Sequence, residues 1–175
     1  SFDMEALIVD ENGKQVPLGG VGELIVRGPG VTLGYWRKEP ETKKAFRGEW
    51  FHTEDVCSID SLGYIRIIDR LKDMIITGGE NVYPAEVEKV LHSIPAIKES
   101  CVIGTPHPTW GEAVTAVCVL NAGATITPAE ITEYCKGQVA GYKVPRVVHI
   151  VSELPRNAAG KILKTDLRKQ FGSGK

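Results

Sequence analysis

Long apolar runs, paired cysteines and a strong net charge are all absent from the 175-residue sequence. A membrane-spanning helix needs about 20 consecutive apolar residues, and no run in this chain approaches that length. The formal net charge of −1 gives the molecule no general attraction for nucleic acid or for an anionic membrane. With 42% hydrophobic and 25% charged residues, the composition predicts a globular, cytoplasmic protein that binds no nucleic acid and has no transmembrane segment.

Metal-ligand spacing is also absent from the sequence. The four cysteines form no Cys-x-x-Cys pair, and the four histidines are dispersed. Three of the four cysteines lie in apolar runs, which favours small buried core residues over reactive thiols. We therefore expect no metal site in this chain.

Two differently patterned halves are separated at about residues 71 and 72. The first half is β-rich, and its predicted elements are a short helix within 38–47 and strands at 6–9, 23–27, 55–59 and 64–68. Residues 60–63, Asp-Ser-Leu-Gly, suit a tight hairpin between the last two of these strands. We assign residues 1–71 to a β-rich segment and residues 72–175 to a second domain.

The second half mixes strands and helices without strict alternation, which predicts an α+β fold. Strands are expected at 74–76, 100–103, 113–120 and 147–151. Pro84 suits a first helical position. Thr127-Pro128-Ala129-Glu130 has the spacing of a capping box, which predicts a helix from there to about residue 139. A last helix is predicted over 161–171.

Two stretches contain residues suited to nucleotide chemistry. Residues 51–56 end at the start of a predicted strand, where the carboxylate of Asp55 can accept hydrogen bonds from ribose hydroxyls, although most loop aspartates cap turns or face solvent. Residues 69–88 place Gly78 and Gly79 between a strand and a helix, where the backbone can approach a ligand. A plain tight turn would explain these glycines equally well. Arg70 is either a surface charge or a donor to phosphate or ribose.

A third stretch, residues 154–164, contains Gly160-Lys161. It is not a Walker A motif, because Pro155 replaces the first glycine and no Ser or Thr follows the lysine. From residue 156 to residue 175 there are six basic residues and one acidic residue. Such a segment is usually a solvated basic face, and it also suits an anionic nucleotide.

The order and spacing of these stretches resemble the C-terminal signatures of the adenylate-forming superfamily. The resemblance is carried by residues 22–28 with Gly34-Tyr35-Trp36, by Thr53-Glu54-Asp55, by residues 69–88 and by residues 155–161. It spans about residues 20–168 and is most similar to the acyl-CoA synthetase branch. The chain is thus expected to be the C-terminal part of an AMP-forming acyl-CoA synthetase. The β-rich end of the large N-terminal domain would be followed by a small, mobile α+β lid.

The resemblance implies that the full-length enzyme uses ATP, a carboxylic acid and CoA. It would form an acyl-adenylate, from which a thiol then displaces AMP. Asp55 is expected to hold the ribose hydroxyls of ATP or AMP, and Arg70 to support the ribose or phosphate. Lys161 is expected to bridge the carboxylate and the α-phosphate during adenylation. Lys72 corresponds to the hinge about which the lid turns.

For the thiol-transfer step, Gly78 and Gly79 correspond to the loop that lines the pantetheine tunnel. Weaker candidates for binding the adenine and phosphates of CoA are Trp110, Tyr142, Lys143 and Arg146. Trp110 could equally pack in the core or on the surface, and Tyr142 and Arg146, just before the last predicted strand, also have plain structural interpretations.

The sequence departs from the family pattern at Glu54, where a small residue usually precedes the aspartate, and at Asp69, where a glycine commonly precedes the arginine. The family's phosphate loop, adenine pocket, acyl pocket and Mg²⁺-binding glutamate lie upstream, in the missing N-terminal domain. We therefore expect the isolated chain to form no adenylate. Two other interpretations stay open: the lid of an adenylation enzyme that loads a carrier protein, and a non-catalytic module that binds CoA or a nucleotide.

Overall fold

The chain, seen in a computed structural model that describes residues 3–172, divides into two units between Lys72 and Asp73. This division lies one residue from the boundary expected from the sequence. No helix within the described range is both long and apolar enough to cross a membrane.

The first unit is built on an antiparallel sheet of five strands. These strands are β1 (Glu5–Val9), β2 (Val21–Arg27), β3 (Phe46–Arg47), β4 (Trp50–Ile59) and β5 (Ile65–Arg70). The long β4 pairs with β2, β3 and β5, and β1 pairs with β2. A short helix, α1 (Glu39–Ala45), precedes β3. Strand β4 is therefore the element on which the rest of this sheet is assembled.

The hairpin predicted at residues 60–63 is confirmed. The Asp60 carboxylate accepts hydrogen bonds from the N–H groups of Leu62 and Tyr64, each at 2.9 Å. Gly63 has φ +84°, a conformation that side chains disfavour. The prediction that β4 starts near residue 55 is wrong, because β4 starts at Trp50 and residues 50–52 pair with β2 and β3. Asp55 consequently lies inside a strand rather than at its beginning.

The second unit contains another five-stranded sheet and three helices. The strands are β6 (Ile75–Thr77), β7 (Glu80–Val82), β8 (Ile97–His107), β9 (Gly111–Leu120) and β10 (Val147–Val151). The helices are α2 (Pro84–Leu91), α3 (Pro128–Cys135) and α4 (Lys164–Phe171). Strand β9 pairs with β8 and β6 antiparallel and with β10 parallel. The predicted α+β fold is confirmed.

The β8–β9 hairpin is buried on both faces. Alternate residues of a strand point to opposite faces, and here the alternate residues belong to two different hydrophobic clusters. One cluster joins the hairpin to residues of α2 and α3, and the other joins it to Leu167 of α4. The hairpin is therefore the central layer of this unit.

All four cysteines are buried free thiols, as the apolar surroundings in the sequence predicted. Burial raises the pKa of Cys57 and of Cys101 to about 11 each. Both thiols therefore stay protonated and unreactive near neutral pH.

Two helices are shorter than the sequence indicated. Helix α3 starts at its predicted capping box but ends at Cys135 rather than near residue 139, because Lys136 is extended (φ −61°, ψ 131°) and Gly137 has φ +83°. Helix α4 starts at Lys164 rather than at Lys161, because the preceding segment forms a small hairpin with an Arg156–Ile162 bridge.

Strand β4 contains a bulge at Thr53-Glu54-Asp55. The register of β2 and β4 changes from Ile25 opposite His52 to Glu23 opposite Val56. Three residues of β4 thus face a single residue of β2, and Glu54 takes φ +58°. A left-handed conformation costs a non-glycine residue about 1–2 kcal/mol. This geometry explains why a small residue suits the position that Glu54 occupies.

Replacing Thr127 by Ala is expected to lower the free energy of unfolding of the chain by about 1 kcal/mol. The Thr127 hydroxyl accepts a hydrogen bond from the Glu130 N–H at 3.3 Å, and the Thr127 N–H donates to the Glu130 carboxylate at 2.8 Å. Urea unfolding measures the difference. Thr165→Ala, on the exposed side of α4, is the matched control and should change stability by less than about half as much.

Replacing Glu54 by Gly is expected to raise the free energy of unfolding by about 0.5–1 kcal/mol, because the relief of left-handed strain exceeds the entropy that glycine adds to the unfolded chain. Urea unfolding measures the change in the free energy of unfolding. Glu54→Ala removes the carboxylate but keeps the Cβ, so it should bring no gain. An equal gain in both variants would assign the effect to charge instead of backbone conformation.

Candidate functional site

The bulge in β4 is held from one side by Glu23. One oxygen of this carboxylate accepts the Glu54 N–H at 3.2 Å, and the other lies 2.8 Å from Nδ1 of His52. The Glu23 and His52 side chains are only 12% and 10% exposed. Glu23 therefore fixes the backbone of the bulge and the orientation of the imidazole together.

Thr53 holds the bulge from within. Its hydroxyl donates to the Leu24 carbonyl at 2.8 Å and accepts the Asp55 N–H at 3.1 Å. The hydroxyl thus takes the place of the ladder bonds that the extra residues interrupt. Bulges often re-aim a side chain, and here that side chain belongs to Asp55, the last residue of the bulge.

Asp55 and Arg70 form an ion pair across β4 and β5. They are directly opposed in the strand register, and the Asp55 Oδ1 atom lies 2.7 Å from Nε of Arg70. Asp55 is 20% exposed, whereas Arg70 is half exposed. The two residues that the sequence predicted to bind the nucleotide are thus in contact with each other.

A cavity of about 520 Å³ opens beside the bulge. Arg70 and Lys72 line it together with Glu23, His52, Thr53 and Glu54. Asp55 is not among the residues that line it, so the ion pair faces the cavity through Arg70. The remaining lining residues are Leu71 and, from α1 and its flanks, Tyr35, Lys38, Glu41, Lys44, Ala45 and Arg47. Five basic residues against three acidic ones make this cavity suited to an anionic ligand.

In the second unit, Gly78 and Gly79 form the turn between β6 and β7. Their φ angles are +61° and +85°, so both positions favour glycine. The Gly78 N–H donates to the Trp110 carbonyl at 2.9 Å, and a Cβ on Gly78 would lie 2.9 Å from the Trp110 indole. The guanidinium of Arg146 lies 4.6 Å from the centre of the same indole. Gly78, Trp110 and Arg146 therefore form one stack.

Lys143 is engaged by a carboxylate. Its ammonium lies 2.7 and 2.9 Å from the two oxygens of Glu86 and 5.6 Å from the ring of Tyr142. The hydrogen bond to Glu86 raises the pKa of Lys143, so the lysine stays charged. The side chain is fixed by this bond, while Tyr142 beside it is more exposed.

Lys161 lies in the small hairpin that precedes α4, and its backbone is fixed. The Asn157 carboxamide oxygen accepts the Lys161 N–H at 2.9 Å, and the Asn157 N–H donates to the Lys161 carbonyl at 2.9 Å. Arg156 reaches the Gly160 carbonyl at 2.6 Å and Glu99 at 2.7 Å. The loop is thus closed on itself and tied to β8.

The basic residues around Lys161 are neutralised by acidic partners. Arg156 pairs with Glu99, Lys164 with Glu88 at 3.2 Å, Arg168 with Asp73 at 2.9 Å, and Lys169 with Asp166 at 4.0 Å. Lys161 is exposed, and within residues 3–172 its ammonium has no ion-pair partner. A fixed backbone therefore presents a single unpaired cation.

The sequence did not identify Glu23, His52 or Glu86 as parts of these sites. Glu23 and His52 lie inside quoted motifs, but their contact depends on a strand register between residues 29 positions apart. Glu86 lies 57 positions from Lys143. The only local signal was the position of each acidic residue beside a motif, which does not specify a partner.

Known proteins are similar in sequence to nearly the whole of this chain. Residues 86–161 match the family of AMP-binding enzyme C-terminal domains. Over 98% of its length the chain is 44% identical to a feruloyl-CoA synthase of an Amycolatopsis species, of which it covers 35%. Over 95% of its length it is 41% identical to a long-chain-fatty-acid–CoA ligase of Escherichia coli, of which it covers 29%.

A solved structure is similar over nearly the whole chain. ATP-bound MatB from Rhodopseudomonas palustris superposes with a TM-score of 0.91 at 44% identity, covering 98% of this chain and 34% of that protein. The chain thus spans about a third of the length of the relatives it matches. Residues 86–161 belong to the family of AMP-binding enzyme C-terminal domains, and nearly the whole chain is similar to about a third of the length of known CoA ligases.

Proposed function

We propose that the full-length protein is an ATP-dependent ligase that joins a carboxylic acid to CoA through an acyl-adenylate. The observation that carries this proposal is the unpaired ammonium of Lys161 on a fixed hairpin. The neighbouring cations Arg156, Lys164, Arg168 and Lys169 are paired with carboxylates, so among the described residues of the basic segment Lys161 alone offers an unpaired charge to a ligand. The names of the relatives, which include aryl- and fatty-acyl-CoA ligases, support the same reaction class.

Adenylation brings two anions together, the carboxylate of the acid and the α-phosphate of ATP. A preorganised ammonium between them offsets their repulsion and stabilises the charge that develops at phosphorus. Lys161 fits this role because its hydrogen-bonded backbone needs little rearrangement when the ligand arrives. We assign Lys161 as the catalytic residue of the first half-reaction.

Asp55 and Arg70 are proposed to bind the ribose and phosphate of ATP or AMP. One carboxylate oxygen of Asp55 is bonded to Arg70, and the other is available to accept a ribose hydroxyl. The exposed half of Arg70 borders the basic cavity, where a phosphate would be attracted. Glu23 and Thr53 would act indirectly, by fixing the bulge that orients Asp55.

Lys72 is proposed as the hinge between the β-rich end of the large domain and the mobile lid. It is the last residue of the first unit, and the short 3₁₀ turn Leu71–Asp73 joins the two. A few residues at such a junction can absorb the backbone rotation of a domain movement. Such a movement would let one enzyme present Lys161 for adenylation and the glycine turn for thiol transfer.

The second half-reaction is proposed to use the Gly78-Gly79 turn as a wall of the pantetheine tunnel. A Cβ on Gly78 would contact the Trp110 indole, so the stack leaves room for glycine alone. Trp110 with Arg146, and Tyr142 with Lys143, would bind the adenine and phosphates of CoA by stacking and charge. Lys143 would have to exchange Glu86 for a phosphate.

The acid and the metal are proposed to bind the remainder of the protein. Residues 3–172 contain no group of three His, Cys, Asp or Glu side chains arranged to hold a metal. We propose that Mg²⁺, which would neutralise the phosphates of ATP, is held by a glutamate of the N-terminal domain, as the family resemblance implies. Because the chain spans about a third of the length of its relatives, we also propose that this chain alone forms no adenylate.

Lys161→Ala in the full-length protein is expected to slow adenylate formation by about 10²–10³-fold, because one preorganised charge is lost. Thioester formation from a supplied acyl-adenylate should be retained. Pyrophosphate release and thioester production, measured separately with aromatic and fatty acids, test both steps. Lys136→Ala, which removes an exposed lysine paired with Glu133, is the matched control and should leave both rates unchanged.

If both half-reactions proceed normally without Lys161, its assigned role is wrong. If the wild-type protein forms adenylates but transfers them to a protein-bound pantetheine and not to free CoA, the acceptor is a carrier protein. If the wild-type protein binds CoA or nucleotide but forms no adenylate with any acid, the non-catalytic interpretation holds.

A further inference from the structure

The glycine turn has a second support, which involves Glu112 of β9. One oxygen of the Glu112 carboxylate accepts the Ile76 N–H of β6 at 2.8 Å. In the described residues β6 is in register with β9 at one pair only, Thr77 with Gly111. The carboxylate therefore continues the pairing of β6 by one residue, in place of a backbone carbonyl.

Gly104 of β8 provides the space for this carboxylate. Gly104 is buried, and it lies opposite Val114 in the β8–β9 register. A Cβ at this position would lie 2.7 Å from the Cδ atom of Glu112 and would also contact Oε1. The atoms in conflict are the end of a flexible side chain, so an added methyl group would displace the carboxylate and leave the backbone in place.

The segment 110–112 thus holds β6 and the residue that follows it through two N–H donors, two positions apart. The Ile76 N–H bonds to the Glu112 carboxylate, and the Gly78 N–H bonds to the Trp110 carbonyl at 2.9 Å. Thr77, between them, is buried. These two bonds fix the last residues before the turn in which Gly78 and Gly79 take positive φ.

We propose that Glu112 is a positioning residue for thiol transfer, acting through β6 on the Gly78-Gly79 turn. The inference rests on the proposed function, since it assigns a step of that reaction to the turn. A carboxylate is a strong acceptor for a backbone N–H, which suits the side of β6 that faces β9, because β6 pairs with β7 at three positions but with β9 at only one. Glu112 is bonded to β6 and not to the hairpin of Lys161, so its loss should affect the second half-reaction selectively.

The test uses the full-length protein with four variants. Glu112→Ala and Glu112→Met remove the acceptor, and Met retains most of the side-chain volume. Glu112→Gln retains an acceptor oxygen. Gly104→Ala leaves Glu112 in the sequence but displaces its carboxylate. Glu133→Ala, an exposed glutamate of α3, is the matched control.

We expect Glu112→Ala, Glu112→Met and Gly104→Ala to slow thioester formation from a supplied acyl-adenylate by about 10–100-fold, because small displacements of a reacting group cost that much. The KM for CoA should rise. The rate of pyrophosphate release, which reports the first half-reaction, should change by less than about 3-fold, because Glu112 is bonded to β6 and not to the hairpin of Lys161. Glu112→Gln should restore most of the rate. Glu133→Ala should resemble the wild type.

Amide hydrogen exchange supplies a readout that does not depend on activity. Peptides covering residues 75–79 should exchange faster in Glu112→Met and Gly104→Ala than in the wild type, while peptides of β10 should not change. If Glu112→Ala does not fold, the rates of thiol transfer in Glu112→Met and Glu112→Gln test the proposal. It requires a slow rate in Glu112→Met and a nearly normal rate in Glu112→Gln.

Equal losses in both half-reactions, or normal thiol transfer in Glu112→Met and Gly104→Ala, would overturn the proposal. Unchanged exchange at residues 75–79 would overturn it as well. Failure of the proposed function is distinguishable, because in that case the wild-type protein itself makes no adenylate or thioester.

Discussion

Backbone N–H groups left over by irregular strand pairing must find another acceptor, since a buried donor without a partner costs about 1–3 kcal/mol. In this chain glutamate carboxylates supply that acceptor at three places. They bond the bulge of β4, the short strand β6 and the edge of β8, through the pairs Glu23 with Glu54, Glu112 with Ile76, and Glu88 with Val102. The carboxylates of Glu23 and Glu112 stabilise backbone that departs from regular pairing, and the candidate sites of both units lie on such backbone, whereas Glu88 bonds the outer edge of a regularly paired strand.

This arrangement separates the groups that are fixed from the groups that are free to bind. In regularly paired strands the backbone hydrogen bonds fix the chain. Such strands offer few bulges or turns where functional side chains can come together. In the first unit the bulge carries Asp55 toward Arg70 because Glu23 and Thr53 satisfy the donors that the bulge displaces. In the second unit the two glycines allow the positive φ of the turn, and the bond from Ile76 to Glu112 holds the strand before it. Preorganisation of this kind is what a catalytic site requires.

Local patterns in the sequence predicted the elements whose signals are local. The capping box at Thr127 and the proline at Pro84 mark the starts of α3 and α2, and Asp60 forms the predicted hairpin turn. The α+β fold followed from the mixture of such elements. The bulge at residues 53–55 could not be predicted, because it arises from a register change between strands far apart in the chain. Glu112 was missed because its partner, Ile76, lies 36 positions away.

The basic segment shows why composition alone could not assign Lys161. A run of cations normally remains a solvated face, and the sequence gives each of them the same apparent role. In the fold, the helical and strand positions of that run meet carboxylates of β8, α2 and the turn before β6. Those pairs tie α4 to α2 and to the turn before β6, tie Arg156 to β8, and leave little charge for a ligand. Lys161 precedes the helix and projects from a hairpin closed by Asn157, so no acidic side chain of the described fold neutralises it. Its availability is therefore a consequence of how the other cations are paired.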